Sequence, residues 1–300
     1  MSVTARAPAK VNVHLAVGPL RPDGFHELRT VYLAVSLFDT VTVAPGDGLA
    51  LTLSGEGAGA VPTDRRNLVW RAAELLAEQA GVPADATIDV AKSIPAAAGL
   101  AGGSADAAAA LVALDELWGT GAARSDLTSL AAQLGSDVPF SLHGGVALGS
   151  GRGEQLSPVL TGTQTHWVLG ISGEGLSTPA VYAELDRLRA EGCVPDGTTA
   201  PAEPVIAALR SGSTNELAAA LVNDLQAPAT ALRPELRRAL RAATDAGAAG
   251  ALVSGSGPTV AALAADEQAA VRLAAALAGA GVFRTVRAVH GPVPGARPVA

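Results

Sequence analysis

Cysteine and methionine are almost absent from this chain. Among 300 residues there is one cysteine, Cys193, and one methionine, Met1. A single cysteine excludes an internal disulfide and a cysteine-based zinc cluster, as is usual in a reducing cytoplasm. The histidines, at positions 14, 26, 143, 166 and 290, have no metal-ligand spacing. With neither a signal-peptide pattern nor an apolar run of the ~18–20 residues that span a bilayer, the sequence predicts a soluble, cytoplasmic protein.

Aromatic and basic residues are also scarce. Aromatics make up 3% and charged residues 16% of the chain, whereas 49% is hydrophobic, so the core is expected to consist mainly of Leu, Val and Ala. The net charge of −7 argues against nucleic acid or an anionic membrane as a partner. No obligate protein partner is evident, and small-molecule substrates are expected. Of the 21 basic residues only Lys10 and Lys92 are lysines, which is either chance or a sign that a compact ammonium is needed there.

Two common nucleotide-binding motifs and one hydrolase motif are missing. The chain has no G-x-x-x-x-G-K-[ST] sequence. Its nearest approach to a dinucleotide fingerprint, at residues 55–60, does not open a helix, so a pyrophosphate would have no helix N-terminus to bind. There is no G-x-S-x-G elbow, which disfavours a serine hydrolase.

The most informative segment is the glycine loop, residues 95–105, which has the sequence PAAAGLAGGSA and precedes a helical pattern. Glycines allow the backbone to approach an anion closely, and a following helix adds unpaired N–H groups and the positive end of its dipole. The segment therefore predicts a phosphate cradle. The alternative is an ordinary turn that caps an alanine-rich helix.

Hydrophobic periodicity predicts both strands and helices, and their order in the second half of the chain is that of an α+β fold. Predicted strands are residues 9–15, 28–37, 39–43, 49–53, 87–91, 144–149, 166–171, 250–254, 259–264 and 283–288. Predicted helices are residues 67–80, 104–118, 125–134, 179–189, 203–209, 215–221, 234–246 and 267–278. The loop-rich stretch at 150–165 is the candidate boundary, which divides the chain into domains 1–157 and 158–300. The second would place its helices on one face of a sheet.

Several residues outside the glycine loop are candidates for chemistry. Asp137 lies in Gly-Ser-Asp-Val-Pro, interpreted as a helix-to-strand connection, where it either faces a cleft or stabilises the turn. Asp106, interpreted as a first-turn residue of the helix at 104–118, either complements the dipole or binds Mg²⁺. The Ser-Gly loop, residues 254–259, is either a tight turn or a lip over bound phosphate. Phe25 and Tyr182 either pack in the core or stack on a base.

These motifs, taken in order, resemble the GHMP kinases over residues 8 to about 265. The matching segments are Pro-Ala-Lys10-Val-Asn12, Pro-Asp-Gly-Phe25-His26, Arg66-Asn67-Leu68, the glycine loop, Gly-Ser-Asp137-Val-Pro and the Ser-Gly loop. Within the family, the chain is similar to members of the non-mevalonate isoprenoid pathway that phosphorylate the 2-hydroxyl of a cytidine-diphosphate-linked methylerythritol. The resemblance implies two domains, an N-terminal α/β ATP-binding domain and a C-terminal α+β, ferredoxin-like domain.

The resemblance also implies roles for individual residues. Asp137 would accept the proton of the acceptor hydroxyl, and Lys10 would orient that hydroxyl and offset negative charge. Asn67 and Lys92 would lie near the adenine of ATP, the co-substrate. The ATP phosphates would be held by Pro95, Ala96, Ala97, Ala98, Gly99, Leu100, Ala101, Gly102, Gly103, Ser104 and Ala105. Cytosine would stack between Phe25 and Tyr182 and hydrogen-bond near His26, while Asn12, Asp137 and Thr178 complete the acceptor site.

The glycine loop departs from the family pattern, which is richer in glycine, because Ala97, Ala98 and Ala101 stand within it. We therefore expect ordinary φ angles at these alanines. Mg²⁺ is expected with ATP, held by Ser104, by Asp106 or chiefly by ATP itself. Two alternative functions are a sibling kinase for homoserine or mevalonate and a catalytically silent nucleotide-binding regulator.

Overall fold

The structure is a computed structural model that describes residues 1–171, 173, 175–197 and 200–299. Its strands are β1 (Val3–Leu20), β2 (His26–Ala44), β3 (Leu49–Gly55), β4 (Ala86–Lys92), β5 (Val146–Ser150), β6 (Gln155–Pro158), β7 (Thr165–Ile171), β8 (Val222–Asn223), β9 (Gly250–Val253), β10 (Val260–Ala264), β11 (Thr285–Gly291) and β12 (Arg297–Pro298). Its helices are α1 (Leu68–Ala80), α2 (Gly102–Trp118), α3 (Arg124–Leu134), α4 (Val138–His143), α5 (Thr178–Ala190), α6 (Glu203–Ser211), α7 (Thr214–Ala220), α8 (Gln226–Leu232), α9 (Glu235–Asp245) and α10 (Glu267–Gly279).

The larger sheet is organised around the long antiparallel pair β1 and β2. Its main path is β12-β1-β2-β4-β3, β5 pairs with both β2 and β6, and β8 pairs in parallel with β1. Strands β3 and β4 are parallel, so α1 between them forms a crossover connection. Strands β8 and β12 join this sheet from beyond residue 158, and the predicted division between residues 157 and 158 stays a prediction.

The smaller sheet has the order β11-β7-β10-β9, with every neighbouring pair antiparallel. In chain order this is fourth, first, third and second, the arrangement of a ferredoxin-like domain, with α9 and α10 packed against it. The predicted α+β class is confirmed.

The prediction of separate strands at 28–37 and 39–43 was wrong, because β2 is continuous through both. Pro8 pairs with Phe38 while the next residue of β1, Ala9, pairs with Val35, so β2 has extra residues at a bulge. A bulge shifts the alternation of side chains without ending the strand. In the sequence, this change in the alternation of apolar and polar residues looks the same as the end of one strand and the start of another.

Helix α2 crosses the core behind the larger sheet. Its alanines at 105, 107–110 and 113 are fully buried, as are Leu111 and Leu114. Small side chains on all faces let α2 pack closely against α1, β1 and β2. The N-terminus of α2, and with it the glycine loop, is thereby fixed against the sheet.

Some elements were not predicted from the sequence. Strand β6 lies in the stretch predicted to be loop-rich, and helix α8 and the short strands β8 and β12 lie where no element was predicted. Two-residue strands are set by pairing with a distant strand, so local periodicity does not indicate them. Among the described residues, no helix combines the length and apolar character needed to cross a bilayer.

Candidate active site

A cavity of about 740 Å³ is lined by residues from both halves of the chain. It brings together most of the residues predicted to form the site: Lys10, Asn12, Phe25, His26, Ala97, Ala98, Gly99, Ala101, Gly102, Gly103, Ser104, Asp137, Thr178 and Tyr182. We call it the main cavity. A concave site with a few converging polar groups is the usual form of a small-molecule site.

Lys10 and Asn12 project from the same face of β1 into the main cavity, as strand alternation predicts. The Lys10 ammonium donates to Asn12 Oδ1 at 2.6 Å, and Asn12 Nδ2 donates to Thr30 Oγ1 at 2.8 Å. Burial lowers the pKa of Lys10, against the opposing attraction of Asp137. His14 leaves this face, since a register shift follows Asn12 and His14 Nε2 lies 3.2 Å from the Ala200 carbonyl oxygen. The hydrogen bond from Lys10 to Asn12, which is itself bound to Thr30, holds the lysine ammonium in place.

Asp137 joins two helices, so the predicted helix-to-strand connection was wrong. It occupies the N-cap position of α4, but its backbone is helical (φ −88°, ψ −13°) and its side chain caps no N–H group. The carboxylate is instead turned to the main cavity, where Asp137 Oδ2 lies 3.7 Å from Lys10 Nζ. It is 30% exposed, which leaves it accessible to a bound molecule.

Tyr32 completes this group and was missed by the sequence analysis. Its hydroxyl donates to Asp137 Oδ1 at 3.0 Å, and its ring lies 6.0 Å from the Lys10 ammonium. Burial and the nearby Asp137 carboxylate raise the pKa of Tyr32, so it remains a hydrogen-bond donor. Tyr32 pairs directly with Asn12 in the β1–β2 register. Aligning β1 with β2 as an antiparallel pair would have placed Tyr32 opposite Asn12 and so indicated that Tyr32 belongs to the site.

The expectation of ordinary φ angles in the glycine loop was wrong for two alanines. Ala97 has φ 51° and Ala101 has φ 59°, both in the left-handed region, whereas Ala98 does not have a positive φ. Ala101 is the N-cap of α2, which begins at Gly102. Its left-handed conformation directs the chain into the helix, and the first-turn N–H groups have no partners within the helix.

Not every residue of the glycine loop reaches a cavity. Pro95, Leu100 and Ala105 are buried and line neither the main cavity nor the smaller one described below. The Leu100 carbonyl accepts a hydrogen bond from the Lys10 N–H at 3.2 Å, which ties the loop to β1. Their predicted contacts with ATP phosphates stay predictions.

The Ser-Gly loop lies against the glycine loop and over Lys10. Ser254 Oγ donates to the Gly99 carbonyl at 3.1 Å, and Ser256 Oγ lies 2.8 Å from Thr178 Oγ1. Gly255 has φ +56°, and a Cβ there would lie 3.0 Å from Lys10 Nζ. Glycine avoids both a strained left-handed side chain and this close contact, and the Ser-Gly loop forms one wall of the site.

A second cavity of about 220 Å³ adjoins the main one and shares Leu68, Ala97 and Gly103 with it. We call it the side cavity, and it also contains Asn67 and Lys92, the pair predicted near adenine. Asn67 is the N-cap of α1, where Oδ1 accepts from the Val69 N–H at 2.9 Å. Its contact with adenine stays a prediction.

The Lys92 ammonium is bound by two buried carboxylates. Asp39 Oδ2 and Asp106 Oδ2 each lie 2.6 Å from Lys92 Nζ. Burial acts to lower the pKa of Lys92, but the charges of Asp106 and Asp39 outweigh it and the pKa is raised. Burial and the Asp39 charge raise the pKa of Asp106 to about 8, against the opposing Lys92 charge. Because α2 begins at Gly102, Asp106 lies in the second turn and not, as predicted, in the first.

The aromatic end of the main cavity contains more than the predicted pair. Tyr182 stacks on His26, with ring centroids 5.2 Å apart, and His26 Nε2 lies 2.9 Å from Asp186 Oδ1. The Phe25 ring has the Arg152 guanidinium 4.9 Å from its centroid. Asp186 and Arg152 were missed, and nothing in their local sequence distinguishes them. The cytosine sandwich of Phe25 and Tyr182 stays a prediction.

The described residues do not form a protein-held magnesium site. They contain no group of three or more His, Cys, Asp or Glu side chains that could hold a metal ion. Of the two predicted ligands, Asp106 is paired with Lys92 and lies outside the main cavity, whereas Ser104 lines it. The part of the chain that the structure describes offers too few side-chain ligands to fit the ion by itself.

Replacing Ala101 with glycine should raise the free energy of unfolding by about 1 kcal/mol. A left-handed alanine costs about 1–2 kcal/mol, and glycine's greater freedom in the unfolded chain offsets about 0.4–1 kcal/mol of the gain. Urea denaturation of the two proteins measures the difference. Ala98→Gly is the matched control, since φ is not positive there, and it should destabilise. A lower free energy of unfolding in Ala101→Gly than in the wild type would contradict the inferred backbone strain at Ala101.

Comparison with known proteins agrees with this architecture. A family model for the GHMP kinases N-terminal domain matches residues 67–145, and a model for the GHMP kinases C-terminal domain matches residues 205–282. The chain belongs to the GHMP kinase family, as its motifs indicated. The first model includes the glycine loop and Asp137, and the second includes the Ser-Gly loop.

Proteins similar to this chain over its full length include named members of the GHMP kinase family. A 4-diphosphocytidyl-2-C-methyl-D-erythritol kinase of Mycolicibacterium gilvum is 59% identical over 300 residues, with 99% of this chain and 93% of the relative covered. A crystal structure of 4-(cytidine 5'-diphospho)-2C-methyl-D-erythritol kinase is 37% identical, covers 97% of this chain and 98% of that chain, and has a TM-score of 0.78. A homoserine kinase from Cytophaga hutchinsonii, 21% identical with a TM-score of 0.77 over 99% of this chain and 97% of that chain, shares the fold.

Proposed function

We propose that this chain transfers the γ-phosphoryl group of ATP to the 2-hydroxyl of 4-diphosphocytidyl-2-C-methyl-D-erythritol, in the non-mevalonate isoprenoid pathway. The chain is a small-molecule kinase with an alcohol acceptor, and relatives similar over its full length are named for this activity. The observation that carries the mechanism is the placement of Asp137 and Lys10, 3.7 Å apart, in a cavity lined by the glycine loop.

Asp137 is proposed as the general base. As the acceptor oxygen forms its bond to the γ-phosphorus, its proton passes to Asp137 Oδ2, and the bond between that phosphorus and the bridging oxygen of ADP breaks. Tyr32 donates to Oδ1 at 3.0 Å and so fixes the carboxylate. Kinases depend mainly on such positioning and on charge stabilisation, and the Asp137 side chain makes no capping hydrogen bond that would compete with the acceptor proton.

Lys10 is proposed to orient the acceptor hydroxyl and to offset the negative charge of the transferred group. Its ammonium has three donors, of which Asn12 occupies one. The ammonium also faces Asp137 Oδ2, 3.7 Å away, so a substrate oxygen bound beside this carboxylate would accept from Lys10. A donor already held in place does not have to reorganise as charge develops, which is the basis of electrostatic catalysis.

The glycine loop is proposed to hold the ATP phosphates, and the side cavity to hold adenine. The loop residues of the main cavity adjoin the N-terminus of α2, whose N–H groups and dipole favour an anion. Both cavities share Ala97 and Gly103, so a nucleotide can extend from one into the other. Mg²⁺ is proposed to enter with ATP, held mainly by phosphate oxygens with Ser104 as the available side-chain ligand.

The acceptor is proposed to lie at the aromatic end of the main cavity. Phe25, His26 and Tyr182 provide ring surfaces for cytosine, and Thr178 lies beside the Ser-Gly loop, in reach of polar groups. Arg152 adds a positive charge to a cavity whose ligands are anionic, in a chain of net charge −7. A cytoplasmic location, and the absence of nucleic acid, membrane or obligate protein partners, stay predictions.

Turnover with a panel of acceptors tests the function. ATP consumption should be rapid with the cytidine-diphosphate compound, and kcat/KM should be at least 10³-fold lower with homoserine or mevalonate, which lack the base. Comparable kcat/KM for homoserine or mevalonate would favour a sibling kinase. ATP binding without turnover of any acceptor would favour a silent nucleotide-binding protein.

Tyr182→Ala should weaken acceptor binding while leaving ATP binding unchanged. Stacking on one aromatic face contributes ~1–3 kcal/mol, which corresponds to a 5- to 150-fold higher KM for the acceptor. Tyr182 lines the main cavity and not the side cavity, so the KM for ATP should stay within twofold. Tyr182→Phe keeps the ring and is the matched control. A raised KM for ATP with an unchanged KM for the acceptor would place Tyr182 at the nucleotide instead.

A further inference from the structure

Asn223 binds the Ser-Gly loop from outside the main cavity. Its side-chain Nδ2 donates to the carbonyl oxygens of Val253 at 2.7 Å and Gly255 at 2.8 Å. Its Oδ1 accepts a hydrogen bond from the Leu225 N–H at 2.9 Å. The reverse orientation of the amide would place its oxygen against two carbonyl oxygens, so these contacts fix which atom is the nitrogen. Asn223 therefore binds backbone groups with both ends of its amide.

The same short segment is also bound to β1, the strand that carries Lys10. Asn223 pairs in parallel with Leu15 of β1. The next residue, Asp224, donates its N–H to the Leu15 carbonyl at 2.9 Å, and its Oδ2 accepts from the Val17 N–H at 2.8 Å. Asn223 thus lies between β1 and the Ser-Gly loop and is hydrogen-bonded to the loop by its side chain.

The Ser-Gly loop comes closest to the Lys10 ammonium at Gly255. A Cβ on this residue would lie 3.0 Å from Lys10 Nζ and 3.1 Å from Asn12 Oδ1, so the Gly255 backbone packs against the hydrogen bond between these two side chains. The Gly255 carbonyl is one of the two that Asn223 binds. Gly255 lines the main cavity and Asn223 does not, so an effect of Asn223 on Lys10 would be transmitted by the loop.

The other side-chain contacts of the Ser-Gly loop come from the loop itself. Ser254 donates to the glycine loop, and the Ser256 hydroxyl is hydrogen-bonded to Thr178. Asn223, in contrast, lies outside the loop and binds its backbone carbonyls. Loss of its two donors would leave the loop attached at its other contacts but would release the peptide that packs against Lys10.

We propose that Asn223 is a positioning residue for phosphoryl transfer, which holds the Gly255 peptide against the Lys10 ammonium and so fixes where that ammonium directs its donors. This proposal rests on the proposed function of Lys10. A lysine has a long, flexible stem, and a donor assists the reaction most when it need not reorganise as charge develops. Asn223 therefore acts on the rate of the chemical step, while the affinity for nucleotide depends on other contacts.

The test combines steady-state kinetics with calorimetric binding of ADP. Asn223→Ala removes both donors and should lower kcat with the cytidine-diphosphate acceptor about 10- to 100-fold, the effect of a small misplacement of a catalytic group. Its affinity for ADP should stay within about threefold of the wild type, because the glycine loop and the N-terminus of α2 are unchanged. Asn223→Asp keeps the shape and the acceptor for the Leu225 N–H but lacks the donors, so it should lose at least as much kcat.

Asp224→Ala is the matched control. Asp224 and Asn223 are adjacent and half-buried, and each side chain binds backbone groups, but the Asp224 side chain holds β1 and not the Ser-Gly loop. Both alanine variants should have a lower Tm, because each leaves backbone groups without a partner. Only Asn223→Ala should lower kcat more than about threefold. Equal losses of kcat in the two variants would overturn the proposal, since they would show that this segment only stabilises the fold.

A double-mutant cycle with Lys10→Met tests whether Asn223 acts through the ammonium. In a Lys10→Met protein, Asn223→Ala should lower kcat by no more than about twofold, whereas independent effects would combine in full. An undiminished loss in that background, or a kcat for Asn223→Ala within about threefold of the wild type, would overturn the proposal. A wild type that fails to phosphorylate the acceptor, or a fully active Lys10→Met protein, would contradict the proposed function on which it rests.

Discussion

Asp137→Asn is expected to lower kcat by about 10²–10⁴-fold while ATP still binds. Asparagine has nearly the same shape as aspartate but cannot accept the proton of the acceptor hydroxyl, and a general base contributes roughly this factor. Tyr32 can still donate to the amide oxygen, so the turn before α4 should keep its conformation. Steady-state kinetics with the cytidine-diphosphate acceptor, together with ADP binding by calorimetry, measures both parts of this expectation.

Two control variants separate loss of the base from damage to the turn. Ser136→Ala changes the neighbouring residue, which also lines the main cavity, and should leave kcat within a few-fold of the wild type. Tyr32→Phe removes the hydrogen bond to Asp137 Oδ1 and keeps the carboxylate, so its loss should be clearly smaller than that of Asp137→Asn. A folded Asp137→Asn protein with kcat close to the wild-type value would rule out the general-base role.

Sequence motifs predicted much of this site because its residues lie in short, distinctive segments. Lys10 and Asn12 share a strand face through simple alternation, and the glycine loop leads into a helix that the structure contains. Tyr32 could not be assigned in the same way. Its role comes from its position opposite Asn12 across two paired strands, a long-range register that local patterns do not specify.

The glycine loop shows a second limit of prediction from sequence. Ala97 and Ala101 were expected to have ordinary φ angles because alanine disfavours the left-handed region, yet the fold places both there. The Leu100 carbonyl accepts from the Lys10 N–H and the Gly99 carbonyl from Ser254, so distant contacts fix the backbone between the two strained residues. Such contacts outweigh a local preference of about 1–2 kcal/mol.

The role of Lys92 could not be determined from the composition of the chain. Its rarity and its position before the glycine loop drew attention to it, but the ammonium is buried between Asp39 and Asp106. The acidic partners come from β2 and α2, 53 and 14 residues away in sequence, and no motif connects them. A lysine that was expected near adenine thus forms a buried ion-pair cluster beside the side cavity, and its contact with the nucleotide stays a prediction.

Lys10→Met is expected to reduce kcat by about 10²–10³-fold, the usual effect of removing one donor that stabilises developing charge. Stability should change little. Lys10 is buried and its pKa is lowered by that burial, so removing an unfavourably desolvated charge offsets the cost of leaving Asn12 Oδ1 without its donor. The Asp137 carboxylate that loses its partner remains 30% exposed to solvent. Thermal unfolding and kinetics on the same preparation measure both expectations.

Lys10→Arg should fail to restore turnover, although it keeps the charge. The ammonium is held 2.6 Å from Asn12 Oδ1, and a Cβ on Gly255 would lie only 3.0 Å from it, so the Ser-Gly loop closes tightly over a compact group. A planar guanidinium is larger and directs its donors in a fixed fork. It would have to displace the Ser-Gly loop, and with it the hydrogen bond from Ser254 to the glycine loop. Full activity in Lys10→Arg would mean that any cation suffices at this position, and that the close approach of Gly255 serves packing alone.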